Sequence, residues 1–422
     1  MTERFNAKQW LLICFLLRLA VIPFTFHGDL SFLYRAPHYV LHGEWDVYGM
    51  VAKTPGKSFY PPLTVIYFVC VQFFFQYFIP GYEVFTHSLA NQNPAVGVIE
   101  VKQLMESQYV FTSLFFMKLP YLIFDFLLIK IFLKMLPDKR KKKYFIVFWA
   151  VNPVVIYGTY MVGQFDLIPA FLVVLAYYYS LQQGKEHFAC LSLSIGFLFK
   201  IFPIVFLPIV LLVSSRSIKD FIRLFLYGTV PAVFFYFLFY LVSGKATFLL
   251  FDFFSYNFSL ATDQSIFVLR ACQAIVCALV GYHIIFLSQR KFNNILLSQY
   301  FLLVYFSCFW GLPIASTHYF IWLTPFLIFY TINNSKWNKA YYFLLIVIFL
   351  CGLKSRASCF GIFAPINSEF FLSIPSLKDI TGFLFQQNVY DQTLRIIYDL
   401  VTGIWTVAIL KHLYFKREIN ET

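Results

Sequence analysis

The stretch FTFHGDLSFLY, residues 24–34, is the point where the first long apolar run of the chain ends and a carboxylate follows. The apolar character lasts to Phe26, whereas His27 and Asp29 are polar and are separated by a glycine. Asp29 has two interpretations. It is a cap for the next short helix, since Asp is a favoured capping residue, or it is a functional carboxylate at a membrane surface. Its position alone favours the cap.

The composition around this stretch is that of a membrane protein. The chain has 422 residues, of which 60% are hydrophobic and 13% charged, whereas globular domains carry about 25% charged residues. Apolar runs of about 20 residues, the length of a membrane-spanning helix, recur along it. The net charge of +13 lies mostly in short basic loops, as in cytoplasmic loops of membrane proteins, so it does not indicate nucleic acid. We predict an all-α polytopic protein with one integral-membrane domain over residues 1–422.

Metal and disulfide chemistry are not indicated by the sequence. All of the eight cysteines except Cys359 lie in apolar runs, so neither a disulfide framework nor a CxxC metal pair is visible. No cluster of possible ligands has a recognised metal-binding spacing. The sequence therefore predicts no metal site and no cofactor.

The basic residues between the apolar runs predict the topology. Lys8 precedes the first run, and the cluster KRKKK follows a later one at residues 139–143; both are expected in the cytoplasm. An even number of crossings must then lie between them. We therefore expect residues 27–107 to form one large external loop, in which the apolar segment 61–80 is interfacial or re-entrant. Such non-spanning backbone is tolerated where it lines a cavity or is buried in protein.

The remaining runs alternate with basic loops and bring the expected number of transmembrane helices to about 12. Two further long external loops are expected at residues 244–264 and 354–389. The runs 188–199 and 201–213 are each too short to cross about 30 Å of hydrocarbon. Because they meet at Lys200, we expect this lysine to lie below the outer surface, in a recess.

Charged residues within the spans need partners, because an unpaired charge there costs several kcal/mol. Arg18 lies in the first apolar run and Asp125 in the run that precedes the KRKKK cluster. We expect these two residues to form a structural ion pair.

Several distant helix ends place a polar residue at the predicted external face. They are Asp29, Gln164 and Asp166 in VGQFDL, Lys200 in FKIFP, and His318 in ASTHYFIW. Individually, Asp166 is explained as a helix cap and His318 as an interfacial residue at a helix start. Together they suit a pocket that holds an anion beside a carboxylate.

Such a pocket suits the transfer of a sugar from a lipid-linked phosphate. Lys200 and His318 would hold the phosphate, and Asp29 would take the proton from an acceptor hydroxyl. The transition state at the sugar carbon is expected to resemble an oxocarbenium ion. Phosphate leaves as a stable anion, so no general acid is required.

A series of sequence blocks carries a family resemblance. The blocks are HGDL (27–30), FYPPLT (59–64), MKLPYLIFD (117–125), NPVVIYGTYMVGQFDLI (152–168), FKIFPIVFLP (199–208) and THYFIW (317–322). In this order they resemble blocks of the GT-C superfamily of polyprenyl-phosphate-sugar-dependent glycosyltransferases. FYPPLT is similar to motifs of bacterial mannosyltransferases related to the GPI-anchor enzymes and of the N-glycan dolichyl-phosphate-glucose glucosyltransferases. The resemblance implies an inverting transfer with Asp29 as base, and Lys200 and His318 near the donor phosphate.

We therefore expect a glycosyltransferase that moves a hexose, mannose ahead of glucose, from a polyprenyl- or dolichyl-phosphate donor. The acceptor would be a lipid-linked glycan, a polysaccharide or a protein at the external or lumenal face, with Gln164 and Asp166 lining the sugar or acceptor side. The membrane would be the plasma (inner) membrane of a bacterium or the endoplasmic reticulum membrane of a eukaryote. Two alternatives remain: a lipid or solute transporter that uses the same recess without chemistry, and a structural subunit of a glycosylation complex.

Overall fold

The computed structural model of the chain describes residues 6–53, 59–91, 102–136, 138–249, 264–288, 291–309, 317–353, 355–384 and 389–415. All regular secondary structure in these ranges is helical, so the predicted all-α class is confirmed. Parts of the predicted loops 27–107, 244–264 and 354–389 fall outside the described ranges.

The N-terminal helices include several within the predicted first external loop. They are α1 (Ala7–Val21), α2 (Asp29–Leu41), α3 (Val47–Lys53), α4 (Pro62–Phe78), α5 (Tyr82–Ala90), α6 (Val110–Lys118), α7 (Tyr121–Met135) and α8 (Lys139–Ala150). A short α-helical turn, Pro153–Val155, and a π-helix, Ile156–Met161, follow α8. The apolar segment 61–80 forms the single helix α4, and its place relative to a membrane stays a prediction.

The later helices are joined by short 3-10 and π-helical segments. The α-helices are α9 (Leu167–Ser180), α10 (Glu186–Phe199), α11 (Leu207–Ser214), α12 (Ile218–Ser243), α13 (Gln264–Tyr282), α14 (Asn294–Phe309), α15 (Thr324–Asn333), α16 (Asn338–Gly352), α17 (Ser368–Ser373), α18 (Leu377–Leu384) and α19 (Val389–Phe415). The joining segments are Phe202–Phe206, Gly244–Phe248, His283–Leu287, Thr317–Trp322, Ser335–Trp337 and Phe360–Phe363.

Within the described ranges, three helices are long and apolar enough to cross a membrane. They are Ile218–Phe248, Arg270–Leu287 and Val389–Tyr414. Helix α8 and the segment Pro153–Met161 would be a fourth if this pair, bent by 43°, counts as one span. Further apolar helices have 10–17 residues, fewer than the about 20 of a typical span. This set is compatible with a membrane protein.

Proline interrupts apolar runs that would otherwise form full-length helices. The run 108–136 is divided into α6 and α7, because Pro120 lacks the backbone N–H that continues a helix. Pro153 follows the end of α8 in the same way, and there the Asn152 side chain accepts hydrogen bonds from two buried backbone N–H groups at the start of the next turn, those of Val154 and Val155. These breaks place polar side chains and free helix ends inside apolar segments.

The predicted ion pair between Arg18 and Asp125 is confirmed. The Arg18 Nε and Asp125 Oδ2 atoms are 2.6 Å apart, and neither side chain is more than 1% exposed. Trp149 and Tyr160 also donate hydrogen bonds to this carboxylate, and the guanidinium donates to the Ala150 carbonyl oxygen at 2.8 Å. A buried pair with such a complete set of hydrogen bonds holds α1, α7 and α8 in register.

A close approach between α2 and the segment before α9 positions the candidate site. Gly163 has φ +85°, and a Cβ atom at this position would lie 2.7 Å from Leu30 Cδ2. Glycine meets both conditions, since it adopts positive φ without strain and has no Cβ. Leu30 follows Asp29, and Gln164 follows Gly163, so this contact brings the two polar residues together.

Candidate functional site

Asp29 is the first residue of α2, and its carboxylate faces another part of the chain. Gln164 Nε2 donates a hydrogen bond to Asp29 Oδ2 at 2.8 Å. Gly28 occupies the cap position of the helix, so the interpretation of Asp29 as the cap is wrong. The Asp29 side chain is 26% exposed, so part of it is accessible from solvent.

His27 is the second partner of this carboxylate. Its Nδ1 atom lies 3.4 Å from Asp29 Oδ1 and 3.3 Å from the Asp29 backbone nitrogen. A protonated imidazole donates to the carboxylate, whereas a neutral one accepts from the backbone N–H. Burial lowers the pKa of His27, but the Asp29 carboxylate outweighs it and leaves the pKa above its ordinary value. This favours the ion pair.

The same surroundings determine the charge of Asp29. Burial by itself would raise its pKa, but the charge and hydrogen bond of His27, followed by His318 and the Gln164 amide, hold the pKa well below its ordinary value. The carboxylate is therefore ionised at neutral pH. It can accept a proton, although only as a weak base.

Asp166 and Lys200 form a second, buried cluster. Lys200 Nζ lies 2.6 Å and 2.7 Å from the two oxygens of the Asp166 carboxylate, and Trp322 Nε1 donates to Oδ1 of the same group. Asp166 is completely buried and Lys200 is 14% exposed. Asp166 occupies the N-cap position of α9, as the cap interpretation predicts, but its side chain makes no cap hydrogen bond. Its carboxylate is the counterion of Lys200.

Aromatic rings surround the ammonium group of Lys200. The ring centroids of Phe165, Tyr319 and Trp322 lie 5.0, 5.2 and 5.5 Å from Nζ, within the range of cation–π attraction. Phe202 stacks on Trp322, with centroids 3.5 Å apart and planes at 4°. This stacking fixes the indole that binds Asp166, so the cation lies in a rigid and largely apolar recess, as the sequence predicts for Lys200.

His318 lies beside the second cluster. Its Nε2 atom is 4.0 Å from Asp166 Oδ2, and its side chain is 7% exposed. A Cβ atom at Gly158 would lie 2.9 Å from the His318 Cα atom, so a glycine in the π-helix allows the 3-10 segment Thr317–Trp322 to approach this closely. The approach places His318 against the carboxylate.

The two clusters are adjacent because Gln164 and Asp166 are separated by one residue. Gln164 binds Asp29, and Asp166 binds Lys200 with His318 nearby. The structure thus brings the sequence-predicted residues into two neighbouring groups. In one group Lys200 binds Asp166, and in the other Asp29 contacts Gln164 and His27.

Lys118 is a charged residue whose place the sequence reasoning missed. It is fully buried, and its Nζ donates to the Thr25 backbone and side-chain oxygens and to the carbonyl oxygens of Ile22 and Met161. It therefore joins the backbone just before His27 to the π-helix before Gln164. Its position in the MKLPYLIFD block is the signal that could have identified it.

The FYPPLT block contacts the same region. Thr64 Oγ1 donates to the Phe199 carbonyl oxygen at 2.6 Å, next to Lys200, and the Tyr60 and Phe165 rings are 5.5 Å apart, edge to face. The first turn of α4 and Tyr60 just before it therefore contact the residues next to Lys200 and Asp166.

An open apolar groove of about 660 Å³ lies between α10 and α12. Its lining is mostly aromatic, includes Phe197 and Tyr236, and contains one charged residue, Lys245. Phe197 of this lining is three residues before Lys200 in the chain.

No protein-family model, curated protein or solved structure matches this chain.

Proposed function

We propose that the chain is a multi-pass membrane glycosyltransferase of the GT-C type that transfers a hexose from a polyprenyl- or dolichyl-phosphate donor. The observation that carries this proposal is Asp29, an ionised and partly exposed carboxylate next to the pair formed by Lys200 and Asp166. A proton acceptor beside a preorganised cation is what sugar transfer from an anionic leaving group requires.

In the proposed reaction, Asp29 accepts the proton of the acceptor hydroxyl while the hydroxyl oxygen attacks the anomeric carbon. The bond from this carbon to the phosphate oxygen breaks, and its electron pair leaves with the phosphate. A single displacement inverts the carbon. The low basicity of Asp29 suits an oxocarbenium-like transition state, because the hydroxyl becomes strongly acidic only as its oxygen bonds to carbon.

Lys200 and His318 are the groups we assign to the donor phosphate. An ammonium has three N–H donors, and the Asp166 carboxylate accepts through two oxygens, so one donor is left for a phosphate oxygen. His318, whose Nε2 atom is 4.0 Å from Asp166 Oδ2, would add a second donor. Gln164, which already orients Asp29, and Asp166 would border the sugar or acceptor.

The apolar groove supports a lipid-linked donor over a free sugar phosphate. A polyprenyl chain would lie along Phe197 and Tyr236 and present its phosphate toward Lys200. Lys245, the charged residue of the lining, would attract the anionic headgroup.

For the whole chain we propose about 12 crossings, in which short helices on either side of a break cross together. The acceptor, a lipid-linked glycan, polysaccharide or protein, would be modified at the external or lumenal face. The membrane would be the bacterial plasma (inner) membrane or the eukaryotic endoplasmic reticulum membrane. Of the two hexoses, we expect mannose before glucose as the sugar transferred.

A lipid or solute transporter is the second candidate. The observation in its favour is the ion pair between Lys200 and Asp166, which leaves the recess without net charge from these two residues. In a transporter, a charged cargo would separate the pair and bind one of its members. This candidate requires no proton acceptor, so it predicts that the function survives loss of the Asp29 carboxylate.

Asp29→Asn separates the two candidates. Membranes that contain the wild-type or variant chain are incubated with mannosyl and glucosyl polyprenyl phosphates, and transfer is measured for each donor. We expect the variant to lose at least about 100-fold in rate while it elutes from size-exclusion chromatography like the wild type. Asp46→Asn is the matched control, because Asp46 is exposed in the same predicted loop. Undiminished transfer by the Asp29 variant would exclude Asp29 as the base.

A further inference from the structure

Three histidines outside the candidate site form a compact cluster. His38 lies in the last turn of α2 and His42 is the C-cap residue that follows it, four residues on and therefore on the same side of the helix end. His87 lies in the last turn of α5. The centroid of the His38 ring lies 4.1 Å from that of His42 and 4.7 Å from that of His87. One nitrogen from each ring can be chosen so that all lie within 4.8 Å of one another.

His38, the buried member of the cluster, has a ring nitrogen without a hydrogen-bond partner among the described residues. This atom is Nδ1, and the residue is 6% exposed. A buried polar atom without a partner costs free energy. A buried ring nitrogen without a partner among the described residues is available to a metal ion, which binds histidine through the lone pair of the neutral imidazole.

The other two rings are oriented by second hydrogen bonds. His42 Nδ1 lies 2.8 Å from the His38 carbonyl oxygen, which only an N–H can satisfy, so its Nε2 atom carries the lone pair. Metal-binding histidines usually donate their other N–H to a carbonyl oxygen in this way. His87 Nε2 lies 3.1 Å from Asn91 Nδ2. An amide nitrogen can only donate, so Nε2 of His87 carries the lone pair, and a metal ion at this atom would replace the amide as its partner.

We propose that His38, His42 and His87 bind a Zn²⁺ ion that joins α2 to α5. Neutral imidazole suits zinc, and three protein ligands with an open fourth position form a known zinc geometry. Zinc–nitrogen distances of about 2.0–2.1 Å require the three nitrogens to move somewhat closer than their present separations. Rotations of the side chains achieve this, because His42 and His87 are exposed.

The position of the ion along α2 indicates its role. The helix begins at Asp29 and the ion would bind at its other end, and nine residues separate Asp29 from His38, which is about 14 Å along a helix. The ion is therefore too far from Asp29 to take part in its chemistry. It would instead fix α2 against α5, where Tyr34 and Tyr82 already share a hydroxyl–hydroxyl contact of 3.2 Å.

Zinc titration of the purified full-length chain in detergent tests this site without reference to catalysis. The chain is stripped with a chelator, titrated with ZnCl₂ by calorimetry, and then heated to measure its unfolding midpoint with and without zinc. We expect one high-affinity ion per chain and a higher midpoint with zinc, since a ligand of the folded state stabilises it.

His42→Gln and His87→Gln are expected to weaken zinc binding by more than about 100-fold and to abolish the shift in midpoint. Both residues are exposed, so the variants should fold. His187→Gln is the matched control, since His187 lies at the start of α10 and contacts Phe188 and Tyr227. The proposal is overturned if the wild type binds no zinc, or if the two ligand variants bind it as tightly as the control does.

Discussion

At the scale of single residues, the pairing of Asp166 with Lys200 changes the role of both. A carboxylate that binds one ammonium with two oxygens and also accepts from an indole N–H is occupied by protein groups. Asp166 therefore neutralises and positions the cation that we assign to the donor. Because the carboxylate is completely buried, loss of its partner would leave an uncompensated charge in the core.

This argument predicts different effects for single and double substitutions. Lys200→Met removes the cation and should destabilise the chain by about 3–5 kcal/mol, seen as a lower thermal unfolding midpoint, and should abolish transfer. Adding Asp166→Asn removes the buried charge but keeps an acceptor for Trp322. The double variant should regain most of the midpoint and remain inactive.

The matched control is the exposed pair of Lys102 and Glu369, whose side chains are 38% and 77% exposed. Lys102→Met should leave the unfolding midpoint unchanged, because exposed pairs contribute little. Two results would contradict the assignment: an unchanged midpoint for Lys200→Met, or an active double variant, since the second would show that the donor does not need Lys200.

At the scale of elements, the site depends on how closely the Gly163 turn approaches α2. Gly163→Ala adds a Cβ atom 2.7 Å from Leu30 Cδ2 and strains a backbone with φ +85°. Gly184 has φ +78° with no atom within 4 Å of such a Cβ, so Gly184→Ala carries the backbone strain alone, about 1–2 kcal/mol. We expect the Gly163 variant to lower the unfolding midpoint more and to reduce transfer, because Gln164 moves away from Asp29.

Transfer rates and midpoints of the two alanine variants distinguish the close approach from backbone strain. Equal midpoints and equal rates would mean that the contact with Leu30 does not hold the site together. A lower rate in the Gly163 variant alone would assign the effect to the turn.

Apolar runs and proline breaks are local properties, so the sequence allows the helical class and the recess around Lys200 to be predicted. Arg18 and Asp125 are distant in the chain, but this pair could be predicted because a charge inside an apolar run needs an opposite charge. The other partners of the polar residues could not be found in this way. That Gln164 binds Asp29, and that Lys118 binds backbone carbonyls, depends on how distant helices pack. Two members of the histidine cluster, His38 and His42, are four residues apart in the sequence. The third member, His87, is brought close to them only by the packing of α5 on α2.

At the scale of the whole molecule, the open question for topology is whether α4 crosses the membrane. Helix α2 precedes α4 in the chain and α5 follows it, and both pack against α4 and against each other. Arg35 of α2 donates to the Ala90 carbonyl oxygen at 3.2 Å. In addition, Lys102 binds Glu369, which joins the two segments that the sequence places on the external side. These contacts favour an α4 whose two flanks lie on the same side.

Cysteine labelling tests this arrangement. Asp46 and Glu83 are exposed and lie before and after α4, and Lys142 lies in the basic cluster. Each is replaced by cysteine in a cysteine-free parent and treated with a membrane-impermeant maleimide in intact cells or sealed vesicles. We expect Asp46→Cys and Glu83→Cys to react from one side, and Lys142→Cys only after permeabilisation. Labelling of Asp46→Cys and Glu83→Cys from opposite sides would mean that α4 spans the membrane, because an odd number of crossings would then separate them.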